Sequence, residues 1–370
     1  MELARVPLRR ITWRIVEGID STLLVLMLSL AMLGIAALFS ATYESPARVV
    51  NQLVNLGVAL IAMWIVAQVP PQTLMRFALP AYVLGLAFLV AVALAGDVVN
   101  GARRWLHVGV TRFQPSEMMK LALPMMLAWY FHRRESGLGL ADFGLAAILL
   151  VVPVAFIARQ PDLGTAALVG AAGFYVIFFA GLSWKVMGGL ALALAGSVFP
   201  LWSVLHDYQR KRILTLLDPT QDPLGAGYHI IQSTIAVGSG GLAGKGWLNG
   251  TQAHLEFIPE RHTDFIFAVY SEEFGLIGNC ILLILYALLI GRGLMIAANA
   301  PTVFARLLAG SIALMFFTYA FVNMGMVSGI LPVVGVPLPF LSYGGTALLT
   351  LFIAAGILMS IQRHRKLVQT

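Results

Sequence analysis

Long apolar runs separated by short polar segments dominate the chain. Ten runs are about 20 residues long, which is the length of an α-helix that crosses the hydrocarbon core of a bilayer. The pattern predicts an all-α, polytopic membrane protein in which residues 1–370 form a single membrane domain. The predicted spans lie near residues 20–41, 48–68, 76–96, 116–132, 140–158, 163–181, 185–204, 265–290, 304–328 and 343–361.

Two segments between the apolar runs have a distinct character. Residues 205–262 form the one large polar loop, between the seventh and eighth spans, and its mixture of aromatic, aliphatic and turn residues predicts that it folds back over the spans. Within it, residues 228–237 predict a short amphipathic helix on the membrane surface. Residues 329–345 read GILPVVGVPLPFLSYGG, and their three prolines forbid a regular helix. Such a stretch must be covered by protein or line a cavity.

Composition and charge agree with a membrane protein. Only 11% of the residues are charged and 59% are hydrophobic, whereas a soluble domain is about 25% charged. The net charge of +7 is assigned to loops that orient the spans and contact anionic lipid, and not to nucleic-acid binding. With the N-terminus in the cytoplasm, thirteen basic residues fall in inside segments and six in short outside segments. Both termini are therefore predicted to be cytoplasmic, and the 205–262 loop extracytoplasmic.

Candidate chemistry begins at PERHTDFIFA (259–268), where a polar loop end runs into the eighth span. Asp264 lies at the seam, with Glu260, His262 and Thr263 in the same turn. A carboxylate in the first turn of a helix is commonly a helix-start residue. Alternatively, a carboxylate with a tuned pKa within reach of a hydroxyl can act as a general base.

Further charged residues fall on the same predicted face. Glu117 and Lys120 lie three residues apart at the start of the fourth span, so that they can form an ion pair or face one cavity. Pro115 suits the first turn of that helix. Asp162, in the turn QPDLGT, is predicted to cap the sixth span. The run 210–212 (RKR) is either a solvated, lipid-contacting face or a clamp for pyrophosphate.

Other motifs are less specific. The stretch GSGGLAGKG departs from a phosphate-binding P-loop because Lys245 is followed by Gly246, and it is interpreted as turn-forming backbone. One of Glu272 and Glu273 is expected to face the bundle interior. The lone Cys280 excludes a disulfide within the chain, and no Cys/His metal framework is present in the sequence.

Several long motifs resemble the SEDS family of bacterial cell-wall proteins (shape, elongation, division and sporulation). The resemblance covers essentially the whole chain, and the forms of residues 238–252 and 329–345 are more similar to the elongation branch than to the division branch. It implies the SEDS fold. The matching motifs are GARRWL (101–106), QPSEMMK (114–120), QPDLGT (160–165), residues 207–233, PERHTDFIFA (259–268) and LPFLSYGG (338–345).

The resemblance implies an inverting peptidoglycan glycosyltransferase. Such proteins polymerise lipid II into linear glycan at the outer face of the bacterial cytoplasmic (inner) membrane during cell elongation, with a class B penicillin-binding protein transpeptidase and the elongation machinery as partners. The growing strand stays linked to undecaprenyl pyrophosphate. Asp264 would take the proton from the acceptor hydroxyl.

The family motifs also imply substrate-binding residues. A divalent cation, Mg²⁺ or Mn²⁺, bridging the pyrophosphate is compatible with this chemistry, although no ligand cluster in the sequence specifies one. The implied substrate-binding residues are Arg104, Glu117, Lys120, Asp162, Arg212, Gln232, Ser233, Glu260, His262 and Thr263.

Two other functions fit a ten-span bundle. A lipid II flippase also needs intramembrane charges, but it requires them near the midplane, whereas here they cluster at one face. A non-catalytic scaffold that only recruits a transpeptidase would not require Asp264.

Overall fold

The computed structural model describes residues 19–42, 45–99, 102–108, 111–134, 137–204, 207–222, 225–255, 257–258 and 260–365. Some basic residues used for the orientation prediction, namely Arg5, Arg9, Arg10, Arg14 and Lys366, lie outside these ranges. The described chain is mainly helical. Its helices are α1 (Ser21–Ala41), α2 (Pro46–Gln68), α3 (Pro71–Ala95), α4 (Pro115–Arg133), α5 (Leu140–Arg159), α6 (Leu163–Phe179), α7 (Trp184–Val204), α8 (Asp207–Leu217), α9 (Ala226–Ser239), α10 (Thr251–His254), α11 (Ile266–Ala298), α12 (Val303–Val327) and α13 (Gly345–Arg363).

Each of the ten predicted spans falls on one of the long helices. Seven of these helices, within the described residues, are long and apolar enough to cross a membrane: α1, α2, α3, α5, α11, α12 and α13. α4 carries Glu117 and Lys120, and α6 has only 17 residues. The chain is an integral membrane protein, and the count of ten crossings and its division into a single domain stay predictions.

Local sequence explains where several helices begin. Proline opens α2, α3 and α4, where its missing N–H costs nothing. Asp20 caps α1 by accepting a hydrogen bond from the Leu23 amide at 2.9 Å. Its carboxylate also pairs with Arg292 at 2.5 Å, which ties the start of α1 to α11.

The all-α expectation misses a small sheet. Residues between α3 and α4 form three antiparallel strands, β1 (Asp97–Val99), β2 (Ala102–Val108) and β3 (Thr111–Phe113), in the order β1-β2-β3. Leu106 pairs with Phe113, and Asp97 pairs with Trp105. Two of the strands have only three residues, and apolar and polar residues do not alternate along β2 (ARRWLHV), so no period-two pattern marks the sheet in the sequence. The sheet brings Arg104 to the end of the bundle where α4 begins.

The described residues of the loop 205–262 pack against the bundle, and the extracytoplasmic position of the loop stays a prediction. The loop contains α8, α9, α10 and a short 3-10 turn. The helix predicted at 228–237 is present as α9, and it packs against α11. Its position on the membrane surface stays a prediction. The Ser233 hydroxyl fixes it to α12 by donating to the Val327 carbonyl at 2.9 Å.

Close helix contacts depend on glycine. α13 lies along α2, and a Cβ atom at Gly356 would lie 2.6 Å from the Met63 carbonyl oxygen. Backbone at that distance cannot move aside without separating the helices. We expect Gly356→Val to lower the free energy of unfolding by about 1–3 kcal/mol, measured by thermal unfolding in detergent. Gly57→Val, on the open side of α2 where nothing lies within 4 Å, is the matched control. Equal effects at the two positions would contradict this packing.

Candidate functional site

Asp264 lies two residues before the first residue of α11. That helix begins at Ile266, its N-cap residue is Phe265, and no side chain caps it. The Asp264 carboxylate accepts no hydrogen bond from the described residues. The structure therefore does not support the helix-capping interpretation of Asp264, and the carboxylate is left available for other chemistry.

The backbone around Asp264 is held from two directions. Asn323, on α12, donates through Nδ2 to the Asp264 carbonyl at 2.8 Å and to the Val336 carbonyl at 2.7 Å. The Ser342 hydroxyl donates to the Thr263 carbonyl at 2.7 Å. The proline-rich segment, residues 329–345, forms no helix between α12 and α13, as predicted. The Ser342 hydroxyl of this segment helps to fix the turn that carries Asp264.

The environment of the carboxylate raises its pKa. Burial, together with the negative charges of Glu260 and Asp162, raises the pKa of Asp264 to about 6. Gly335 lies against it, with a φ of 72°, and a Cβ atom there would be 3.2 Å from Asp264 Oδ2. Asp264 is therefore able to exchange a proton near neutral pH.

Asp162 connects the surroundings of Asp264 with the small sheet, through its charge on one side and through Arg104 on the other. It caps α6 as predicted, because its Oδ1 accepts from the Thr165 amide at 3.1 Å. Its Oδ2 accepts from Gln114 Nε2 at 3.2 Å and lies 3.7 Å from the Arg104 guanidinium. Arg104 also donates to the Pro161 carbonyl at 2.6 Å. The half-exposed Arg104 cation is thereby fixed beside a buried carboxylate.

Glu117 and Lys120 form the predicted ion pair on α4. The distance from Lys120 Nζ to Glu117 Oε1 is 2.5 Å, and both side chains are buried. The ammonium also lies 5.1 Å from the centroid of the Tyr319 ring on α12. The second carboxylate oxygen, Glu117 Oε2, is buried without a hydrogen-bond partner in the described part of the chain.

An apolar groove begins at this polar group. It has a volume of about 310 Å³ and lies between α3, α4 and α13. Gln114 and Glu117 line one part of it, and Leu121, Met125 and Ile353 line another. A ligand with a polar head and an apolar tail matches this lining.

The remaining predicted residues divide into two groups. Glu260, His262 and Thr263 lie in the Asp264 turn: the Thr263 hydroxyl donates to the Glu260 carboxylate at 3.0 Å, and the His262 carbonyl accepts from the Tyr343 amide at 2.9 Å. Burial lowers the pKa of His262. The second group lies on α8 and α9. Ser233 is fully buried with its hydroxyl bound to backbone, and Gln232 and Arg212 are half-buried.

Sequence reasoning overlooked Asn323, Tyr319 and Gly335. Asn323 and Tyr319 stand one turn apart within the apolar span α12, and both are fully buried. A polar side chain inside a span is itself a signal of function or pairing. His229 is a further omission: its ring stacks on Phe265, next to Asp264, with 5.6 Å between centroids.

Comparison with known proteins gives consistent results. The FtsW/RodA/SpoVE family of cell cycle proteins matches residues 19–367. The chain is 49% identical over 363 residues to the peptidoglycan glycosyltransferase MrdB of Escherichia coli K12, covering 98% of each chain.

Solved structures agree with the sequence comparison. A chain from a peptidoglycan synthase complex that coordinates polymerization and crosslinking superposes with a TM-score of 0.80 at 36% identity, covering 94% of this chain and 98% of that one. The rod shape determining protein RodA of Thermus thermophilus superposes with a TM-score of 0.71 at 30% identity, covering 94% and 97%.

Proposed function

The chain belongs to the FtsW/RodA/SpoVE family, which is the SEDS family, and from this membership we propose how its site works. The protein is a peptidoglycan glycosyltransferase. Asp264 is the general base that takes the proton from the acceptor sugar hydroxyl, whose oxygen then displaces the pyrophosphate-linked carrier at the anomeric carbon. The C–O bond to the carrier breaks as the new glycosidic C–O bond forms, with inversion.

Support for this role comes from one arrangement. The Asp264 carboxylate, with a pKa of about 6, is influenced by the charge of Asp162, and the Asp162 carboxylate lies 3.7 Å from the Arg104 guanidinium. A second cation, Lys120, pairs with Glu117, which lines the start of the apolar groove. The cations offset the charge that develops on a leaving pyrophosphate. The groove offers an apolar surface for the tail of a lipid-linked substrate. Lipid II, a sugar on an undecaprenyl pyrophosphate carrier, has both features.

A divalent cation enters this proposal only with the substrate. Among the described residues, no group of three or more His, Cys, Asp or Glu side chains could hold a metal ion. Mg²⁺ is commonly bound by one or two carboxylates together with substrate phosphates. Asp162 is the carboxylate that would contact such an ion, which would neutralise pyrophosphate charge, and Asp264 would keep its role as the base.

The site is assigned to the outer face of the cytoplasmic membrane, with both termini inside, and a class B penicillin-binding protein transpeptidase of the elongation machinery is the proposed partner. One structural neighbour belongs to a peptidoglycan synthase complex. An apolar, membrane-facing groove of about 360 Å³ lies between α11 and α12, lined by Leu283, Phe317 and Phe321. With the long loop, this groove is the expected contact for the partner's transmembrane helix.

Purified protein mixed with lipid II in detergent tests the activity. A polymerase forms long glycan strands that gel electrophoresis separates from the monomer. A flippase has no compartments to connect in detergent and leaves lipid II unchanged, and so does a scaffold. Lipid II that stays monomeric, with and without the transpeptidase, would contradict the proposed function.

The pH dependence follows from the raised pKa. The base must be deprotonated to accept a proton, so the rate is expected to be full above the pKa and to be lost as pH falls through about 6. Below that point kcat/KM should fall about tenfold per pH unit. Initial polymerisation rates in buffers of constant ionic strength give this profile. A half-maximal rate near the ordinary carboxyl pKa of about 4 would show that the burial of Asp264 is not retained during the reaction.

A further inference from the structure

α11 is interrupted one third of the way along. Gly275 has a φ of 62° and a ψ of −159°, which are not helical angles. Positive φ favours glycine, and a Cβ atom at this position would lie 2.3 Å from the Gly244 amide nitrogen. The interruption separates residues 266–274, which follow Asp264 after Phe265, from residues 276–298.

The glycine-rich loop, residues 240–250, fills the interruption with its own backbone. The stretch GSGGLAGKG (238–246), predicted from the sequence to form turns, overlaps this loop, although its first two residues belong to α9. Backbone groups that a continuous helix would pair internally are here paired with the loop. The four hydrogen bonds are Lys245 N to Glu272 O at 3.0 Å, Gly246 N to Glu273 O at 3.0 Å, Leu276 N to Gly241 O at 2.9 Å, and Ile277 N to Leu242 O at 3.0 Å.

Side chains add a second set of bonds at the same place. Lys245 Nζ lies 2.7 Å from Glu272 Oε1 and donates to the Thr251 hydroxyl at 2.8 Å. Glu272 is fully buried, and its Oε1 also accepts a hydrogen bond from the backbone N–H of Gln252 at 3.0 Å. Both Glu272 and Glu273 are buried, whereas the sequence predicted that only one would be. The ion pair thus joins residues 266–274 to the loop by charge as well as by backbone.

The glycine-rich loop is in turn fixed to α1. Trp247 donates through its indole N–H to the Ala36 carbonyl at 3.0 Å, and its ring lies 5.8 Å from that of Phe39. Ser40, near the end of α1, donates to the Glu273 carboxylate. Residues 266–274 are therefore tied to α1 through the loop. Two side-chain bonds also cross the interruption, from the Tyr270 hydroxyl to the Gly278 carbonyl and from the Ser271 hydroxyl to Asn279 Oδ1, both at 3.0 Å.

We propose that Lys245 and Glu272 are positioning residues for glycosyl transfer, whose ion pair holds residues 266–274 so that the Asp264 carboxylate keeps its place beside Asp162 and Gly335. This inference rests on the proposed function. Glu272 is eight residues from Asp264, or about 12 Å along a helix, too far to touch the reacting atoms. Small displacements of a reacting group cost large factors in rate: a misplacement of about 1 Å can cost about 100-fold.

The test uses the full chain and lipid II. Lys245→Met is expected to lower kcat by about 10- to 100-fold, to leave KM within about threefold, and to move the acid limb of the pH–rate profile below its wild-type position near 6. Lys245→Arg keeps the ion pair and is expected to retain most of the activity. If Lys245→Met fails to fold, the double variant Lys245→Met/Glu272→Gln avoids a buried unpaired charge, and the same loss of kcat is expected.

A matched control separates positioning from general stability. Arg134 pairs with Asp142 at 3.8 Å between α4 and α5, and its side chain is largely exposed. Arg134→Gln should leave kcat and the pH profile unchanged. Wild-type kcat and pH profile in the folded Lys245 variants, even with a lower Tm, would overturn the positioning role. That result leaves the proposed function intact, whereas the absence of polymerisation by the wild-type chain would refute the function itself.

Discussion

Replacing Asp264 with asparagine is expected to lower kcat for glycan polymerisation by about 10²- to 10⁴-fold, which is the usual contribution of a general base. Asparagine has the shape of aspartate but cannot accept the proton at neutral pH. The backbone of this turn is held by Asn323 and Ser342 through carbonyl groups, so the substitution removes no bond that orders it. KM for the lipid-linked substrate should change much less than kcat.

The measurement is the initial rate of lipid II polymerisation by purified variants of equal monodispersity. Asp142→Asn is the matched control at the α4–α5 turn, where Asp142 accepts from the Tyr130 hydroxyl and from the Gly139 backbone amide. The asparagine oxygen can still accept from the Gly139 amide, and its NH₂ group can donate to the Tyr130 hydroxyl. A rate within about twofold of wild type for Asp264→Asn would exclude the base role. Thermal unfolding of each variant shows whether a lower polymerisation rate results from a folding defect.

Removing the charge of Lys120 is expected to have the largest effect on stability. Its ammonium is the buried partner of Glu117, at 2.5 Å. Lys120→Met would leave a buried carboxylate unpaired, and breaking a buried pair in this way costs about 3–5 kcal/mol. The second oxygen of Glu117 has no hydrogen-bond partner among the described residues. No existing bond would therefore stabilise the carboxylate charge once the lysine is removed.

The double variant Glu117→Gln/Lys120→Met separates folding from catalysis. With both charges removed, much of the lost stability should return, because no unpaired charge stays buried. Polymerisation should not return if Lys120 offsets the charge of the pyrophosphate. Lys185→Met, at the exposed start of α7, is the control for loss of one positive charge. A Tm for Lys120→Met equal to that of wild type would contradict the buried pair.

Much of the architecture is readable from local pattern. Apolar runs locate the long helices because each must satisfy its backbone internally in lipid. Pro115 and Asp162 mark helix starts through their own backbone and side chain. The pairing of Glu117 with Lys120 follows from their spacing on one helix face. These features need no knowledge of distant segments.

Other features depend on contacts between segments far apart in sequence. The interruption at Gly275 exists because a loop about 30 residues earlier supplies the missing hydrogen bonds, and glycine alone does not predict such a partner. The role of Asn323 requires the positions of both Asp264 and Val336. The raised pKa of Asp264 depends first on its burial by distant segments, then on Glu260 and on Asp162, which lies on a different turn of the chain.

The glycine at position 335 has an evolutionary consequence. Its left-handed backbone disfavours any side chain. A Cβ atom at this position would lie 3.2 Å from Asp264 Oδ2, so a side chain there would press on the reacting group. A substitution there is therefore expected to carry two costs, one in folding and one in turnover. Changes elsewhere in the proline-rich segment could relieve the first cost but not the second, so we expect related enzymes that keep the aspartate to keep this glycine as well.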